Sequence, residues 1–170
     1  HNRITLVEQG KRFPELIDAK FTYIPDHYKH LRFYLNDFLA QKNSNNDEQK
    51  YFSSFTQALN YKYVISTDGS TIDDTRVYWL FLSKALVFKQ VTPLMPYGIP
   101  NLRPFFHYIP VREDLTDLAV KVRWARANDK QARLIAQNGY EFAKENFKQG
   151  NVFKYFLGSL FDYGKKFSMV

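Results

Sequence analysis

Three short apolar runs, set apart by stretches with helical spacing, constrain this chain more than any other feature. Tyr61-Lys-Tyr-Val-Ile-Ser-Thr-Asp-Gly69 reads as a strand entering a turn, because β-branched and aromatic residues give way to Asp68-Gly69. Leu86-Val-Phe-Lys-Gln90 reads as a second strand and His107-Tyr-Ile-Pro-Val111 as a third. Asp73, Asp74 or Thr75 can cap a helix that runs through Arg76–Lys84 between the first two. After the third, Asp114 is expected to cap a helix with Leu115, Leu118, Val122 and Ala125 on one face. Asp129 is expected to cap the next, with Ala132, Ile135, Ala136, Phe142 and Ala143 inward. Strand, helix, strand, loop, strand, helix is the rhythm of right-handed crossovers, so the expected fold is α/β: a Rossmann-like three-layer domain with a largely parallel sheet.

The remaining segments fit around that frame. Leu6 and Val7 sit among polar residues in Ile4–Lys11, a short helix stopped near Pro14, and Phe21-Thr-Tyr offers a strand. Asp26 can cap a helix from His27 to Leu39, residues 41–50 read as a polar loop, and Tyr51–Leu59 can form another helix. Pro93, Pro96, Pro100 and Pro104 mark an irregular stretch. A last amphipathic helix, Val152–Tyr163, displays Phe153, Phe156, Leu157 and Leu160, and the plainer expectation is that Phe153, Phe156 and Leu160 complete the chain's own core. The expected division is a lobe over residues 1–150 and a helix and tail over 151–170.

Composition removes several classes of function. With no cysteine there is no disulfide framework, no thiolate zinc site and no cysteine nucleophile. The longest apolar run, Val77–Phe88, is broken by Ser83 and Lys84, well short of the roughly 18–20 residues of a membrane helix. GxSxG, Walker and GxGxxG patterns are missing, which removes the usual support for hydrolase, nucleotide kinase and dinucleotide-oxidoreductase readings. The net charge is +7, and residues 91–170 hold 12 Lys/Arg against 7 Asp/Glu, so the C-terminal half favours anionic partners. Nucleic acid fits this charge less well than phosphates or a membrane face, because the aromatics follow periodicities that suit burial. The start at His1-Asn-Arg, without Met or a signal-peptide pattern, suggests a processed or truncated start, with a cytoplasmic place as the default.

In an open α/β sheet, ligands lie beyond the carboxyl ends of the strands. The segment Ser66-Thr-Asp-Gly-Ser-Thr-Ile-Asp-Asp-Thr-Arg76 falls there. Gly69 lets backbone approach a ligand, Ser70, Thr71 and Thr75 supply hydroxyl donors, and a helix N-terminus attracts anions. Arg76 adds a fork of donors matched to phosphate. The plainer alternative is a capped loop in which Asp73 and Asp74 serve the helix and Arg76 pairs with them. A metal held by Asp73-Asp74, or by His27 and His30 three residues apart, lacks further identifiable ligands, so no metal is expected. His107 is expected to be a hydrogen-bonded core residue.

Three stretches in register carry a family resemblance. They are Arg3-Ile-Thr-Leu-Val-Glu with Phe13–Thr22; Tyr61–Gly69 with Thr75-Arg76 and Trp79–Gln90; and Leu102–Leu115 followed by Ala125–Ala143 with Asn138-Gly139. Over residues 3–150 the chain resembles the C-terminal half of the capsule-associated and lipopolysaccharide-modifying glycosyltransferases, a family that includes the animal protein O-glucosyltransferases. The resemblance implies a GT-B architecture, whose C-terminal lobe binds a UDP-sugar without a metal. Arg76 matches a phosphate-binding arginine, and Gly69, Ser70, Thr71, Asp74 and Thr75 match the nucleotide-sugar loop, with one extra residue between Gly69 and Arg76.

The match begins after the lobe's first strand, and the N-terminal lobe with its catalytic base lies outside it, so no catalytic residue is nominated. The implied function is transfer of a sugar from a UDP-sugar to a hydroxyl of a lipopolysaccharide or capsule saccharide, in the cytoplasm or peripheral to the inner membrane. The alternative from the residues themselves is a non-catalytic basic module that binds a partner subunit or an anionic membrane surface. If the last helix belongs to a lobe–lobe contact, its aromatic face is left uncovered in this chain.

Overall fold

A computed structural model describes residues 2–21, 59–68, 74–93 and 101–167. The helices and loop expected over residues 22–58, including the His27–Leu39 helix and the His27/His30 pair, lie outside them, as does most of the Phe21 strand. In chain order the described elements are α1 (Asn2–Arg12), β1 (Tyr63–Ser66), α2 (Asp74–Leu82), β2 (Leu86–Gln90), β3 (Ile109–Val111), α3 (Leu118–Ala127), α4 (Asp129–Asn146) and α5 (Gln149–Phe167).

The three strands form one sheet in the order β1-β2-β3, and both pairings are parallel. Tyr63 to Ser66 lie opposite Leu86 to Lys89, and Phe88 to Gln90 lie opposite Ile109 to Val111. Every residue of β2 is buried, as expected for the middle of a parallel sheet covered on both faces. Side chains alternate along a strand, and the packing divides accordingly. Leu86, Phe88, Ile109 and Val111 meet Leu118, Ala119, Val122 and Ala125 of α3 together with Ile17. Val87, on the opposite face, meets Val77, Leu80 and Phe81 of α2. Layers of helix, sheet and helix follow, the Rossmann-like arrangement expected from the sequence. Full burial of a side chain such as Phe88, 1% exposed, contributes on the order of 2–3 kcal/mol.

Helix α4 joins the layers: it packs on α2, α3 and β2, with Ala132 and Ile135 in one cluster and Ala143 in the other. Gly139 is where it crosses closest, because a Cβ there would lie 2.5 Å from the His107 carbonyl oxygen. The N-terminal segment is tied on from far away in sequence. Gln9 Nε2 donates to the Leu115 carbonyl at 2.5 Å, Arg126 donates to the Glu15 carbonyl at 2.6 Å, and the Tyr61 hydroxyl donates to Asp18. That last bond holds the Asp18 carboxyl below its usual range and pushes the Tyr61 hydroxyl up.

Several local expectations need correction. Helix α2 ends at Leu82, two residues before Lys84, because Lys84 adopts a left-handed φ of 64° and Ser83 Oγ donates to the Leu80 carbonyl at 2.6 Å. Strand β3 starts at Ile109, since His107 belongs to the preceding turn, where its amide donates to the Arg103 carbonyl. Asp114 does not cap α3. It accepts from the amide and hydroxyl of Thr116, and α3 begins at Leu118 after Leu115, buried at a φ of 59°. Asp129 is the first residue of α4 rather than its cap, and its carboxylate is taken by Lys62 and Arg133, which lower its pKa.

Of the two expectations for the last helix, the one that it completes this chain's own core fails. Helix α5 contains no buried residue, and Phe153, Phe156, Leu157, Leu160, Phe161, Tyr163 and Phe167 are all exposed. Its helical spacing of apolar residues makes an amphipathic face, but no described element of this chain covers that face. No described helix is long and apolar enough to cross a membrane.

Candidate functional site

The carboxyl ends of β1 and β2, with the start of α2, form the candidate site. Thr67 and Asp68 leave β1 buried, and α2 begins at Asp74, so its first turn lies beyond the end of β1. Arg76 stands in that turn, partly exposed, directly before the buried Val77 that seats the helix on the sheet. Asp74 and Thr75 are placed by their backbone in the same turn. Gly69, Ser70 and Thr71, the other expected nucleotide-sugar residues, lie outside the described residues. The structure thus brings Arg76, Asp74 and Thr75 to the carboxyl end of the sheet.

Sequence reasoning passed over the polar end of β2. Gln90 is fully buried, and its side-chain amide clasps all three strand exits. Its Oε1 accepts from the Asp68 amide at 3.1 Å, and its Nε2 donates to the Glu113 carbonyl at 2.5 Å. Thr92, just past β2, donates its hydroxyl to the Asp68 carboxylate. The chain leaving β1 is therefore anchored at Asp68, one residue before Gly69, by Gln90 of β2 and by Thr92 just past it. A buried polar network of this kind fixes a loop's departure angle, because breaking it strands donors and acceptors away from water.

Lys89 was passed over as well. It is 6% exposed, and its ammonium donates to the Gln90 carbonyl at 3.3 Å. Ser66, opposite it in register, is 1% exposed, and its hydroxyl has no hydrogen-bond partner among the described residues. The available signal was the polar pair Lys89-Gln90 inside an otherwise apolar run of parallel-strand character, where buried polar groups need a reason.

His107 behaves as the sequence suggested. It is buried, its Nδ1 accepts from the Arg103 amide at 2.9 Å, and its ring lies 4.7 Å from that of Phe142. Burial and then the Arg103 charge lower its pKa, so it is held neutral as an acceptor. Among the described residues no group of three His, Asp or Glu is placed to hold a metal ion.

With a Rossmann-like sheet and an arginine in the first turn of α2 at its carboxyl end in place, the comparisons with known proteins give the class of the chain. The model of glycosyl transferase family 90 matches residues 1–170, and the chain belongs to that family. Protein O-glucosyltransferase 3 of Rattus norvegicus is 30% identical over 164 residues, covering 96% of this chain and 30% of that protein. Protein O-glucosyltransferase 1 of Homo sapiens is 28% identical over 163 residues, 96% of this chain and 38% of its own length. Protein O-glucosyltransferase 2 of Danio rerio is 37% identical over 103 residues, 61% of this chain and 20% of its own length. The chain spans about a third of the length of the curated relatives it matches along most of its own length.

Proposed function

We propose that this chain is the donor-binding part of a GT-B glycosyltransferase that transfers a sugar from a UDP-sugar to an acceptor hydroxyl. The observation that carries the reading is Arg76 in the first turn of α2, beyond the carboxyl end of β1. The leaving group of such a transfer is a nucleoside diphosphate, on which negative charge grows as the glycosidic bond breaks. A helix N-terminus and a guanidinium already in place stabilise that charge more in the transition state than in the ground state. The reading gives this task to Arg76 and the α2 amides rather than to a metal, with Gly69, Ser70, Thr71, Asp74 and Thr75 around the donor. The general base that deprotonates the acceptor is assigned to no residue of this chain.

The acceptor we propose is a lipopolysaccharide or capsule saccharide, handled in the cytoplasm at the inner-membrane face. The relatives' names support a second acceptor class, a protein hydroxyl. A different reading, a non-catalytic basic module for a partner subunit or anionic membrane, is supported by the exposed aromatic α5 with Lys165 and Lys166 in its last turn.

Calorimetric titration with UDP, GDP and short single-stranded DNA at two salt concentrations separates these readings. UDP-selective binding that weakens at least tenfold in Arg76→Ala is the expected result. Salt-sensitive binding to every polyanion alike, unchanged in Arg76→Ala, overturns the donor-site reading in favour of the basic module.

A further inference from the structure

We propose that Lys89 and Ser66 form a second anion-binding pair in the same crevice, one that takes a phosphate group of the donor's diphosphate. The inference rests on the donor-site reading above and assigns to it residues that the sequence did not single out. Lys89 is 6% exposed, yet among the described residues no carboxylate forms an ion pair with it. Its one acceptor is the adjacent Gln90 carbonyl, at 3.3 Å. A buried ammonium with a single neutral acceptor is costly, because the water it has lost is not replaced by an opposite charge.

The cost is concentrated at one place. Ser66 and Lys89 are partners in the β1–β2 register, so their side chains leave the same face of the sheet. That is the face of Val64 and Val87, which α2 covers through Val77 and Leu80. Both are at the carboxyl end of their strands: Ser66 is the last residue of β1 and Lys89 the next to last of β2. Among the described residues the Ser66 hydroxyl, 1% exposed, has no hydrogen-bond partner. A donor-rich cation and an unsatisfied hydroxyl, side by side under the helix whose first turn holds Arg76, are matched by an anionic oxygen acceptor. A phosphate oxygen accepts from both and supplies the missing charge.

The three roles then differ in kind. Arg76 meets the ligand from the helix side as a planar fork, Lys89 meets it from the sheet floor as a point charge, and Ser66 adds a neutral donor. Three donor groups from three consecutive elements would fix a diphosphate in one orientation.

The test titrates the 170-residue chain, as wild type, Lys89→Met, Ser66→Ala and Arg76→Ala, with inorganic pyrophosphate, UDP and uridine. Lys89→Met keeps the length of the side chain and removes the charge, so the fold is expected to survive with an equal or higher melting temperature. Pyrophosphate and UDP affinities are expected to fall about tenfold or more in Lys89→Met and severalfold in Ser66→Ala, while uridine affinity is unchanged. A folded Lys89→Met chain that binds pyrophosphate and UDP as the wild type does overturns the proposal. So does a wild-type chain that binds neither anion.

The two readings fail separately. UDP binding that depends on Arg76 but not on Lys89 leaves the donor site standing and removes this pair. Lys89-dependent pyrophosphate binding with no preference for UDP keeps the pair and removes the UDP-sugar reading.

Discussion

Substituting Gly139 by Ala tests the central packing of this fold through a single methyl group. An ideal Cβ at that position lies 2.5 Å from the His107 carbonyl oxygen, and 2.9 and 3.1 Å from two ring atoms of Phe81. Ordinary contact begins near 3.4 Å, so the carbonyl would have to retreat by about 0.9 Å. Neither neighbour gives way easily, because His107 leads into β3 and Phe81 is 1% exposed in the α2 cluster. Overpacking a tight core costs about 1–3 kcal/mol, and a clash with backbone belongs at the upper end. Against this, alanine is favoured over glycine inside a helix by about 1 kcal/mol. The net expectation is a loss of about 2 kcal/mol, or a fall of roughly 4–8 °C in melting temperature for a chain of this size. Urea denaturation with an unchanged slope measures it directly. Gly158→Ala is the control, since nothing lies within 4 Å of a Cβ there and only the helical gain, read as α5 helicity, remains. If Gly139→Ala is as stable as the wild type, the close crossing of α4 over the entry to β3 is wrong.

Two further substitutions probe the polar interior. His107 has a folded pKa below its ordinary 6.5, so the unfolded chain binds its proton more readily. Its contribution is therefore complete above about pH 6.5 and is lost as pH falls from there through the folded pKa. Urea stability measured from pH 7.5 to 5 should fall, and His107→Phe should flatten that dependence; an unaltered pH profile in the variant would rule out this source. Gln90→Leu removes the partners of the buried Asp68 amide and of the part-exposed Glu113 carbonyl, at a cost of roughly 1–3 kcal/mol. Amide exchange at Asp68 should accelerate more than exchange at Val87 in the same variant. Equal acceleration at both would mean that Gln90 supports the sheet and not the loop.

The crossover frame was legible because its signals are local. The run Leu86–Gln90 is bounded by the turn at Ser83 and Lys84 and by Val91 exposed outside it, and the strand has the limits read from the sequence. Caps were less legible, because a carboxylate at a helix start has competitors that only the fold brings near. Lys62 reaches Asp129 from 67 positions away, and Thr116 captures Asp114 before α3 begins. The site was legible at Arg76, where a turn, a helix start and a cation coincide in sequence. Lys89, Ser66 and Gln90 were hidden, since their burial follows from strand pairing and from helices on both faces rather than from their neighbours in the chain. For α5 the periodicity gave the helix but could not say whether anything would cover it.

The order of the strands bears on how the polypeptide assembles as it is made. Each strand pairs with the one synthesised immediately before it, so the β1–α2–β2 crossover can close within residues 63–90, and β3 then adds to its edge. The segment of α1 and the turn after it is different: its anchors at the Leu115 carbonyl and the Arg126 side chain come more than a hundred residues later in the chain. These long-range ties can close only after all three strands of the sheet have been made. Until Leu115 and Arg126 have left the ribosome those two hydrogen bonds cannot form, so Ile17 joins the cluster it shares with Leu115 only after β3 has been made.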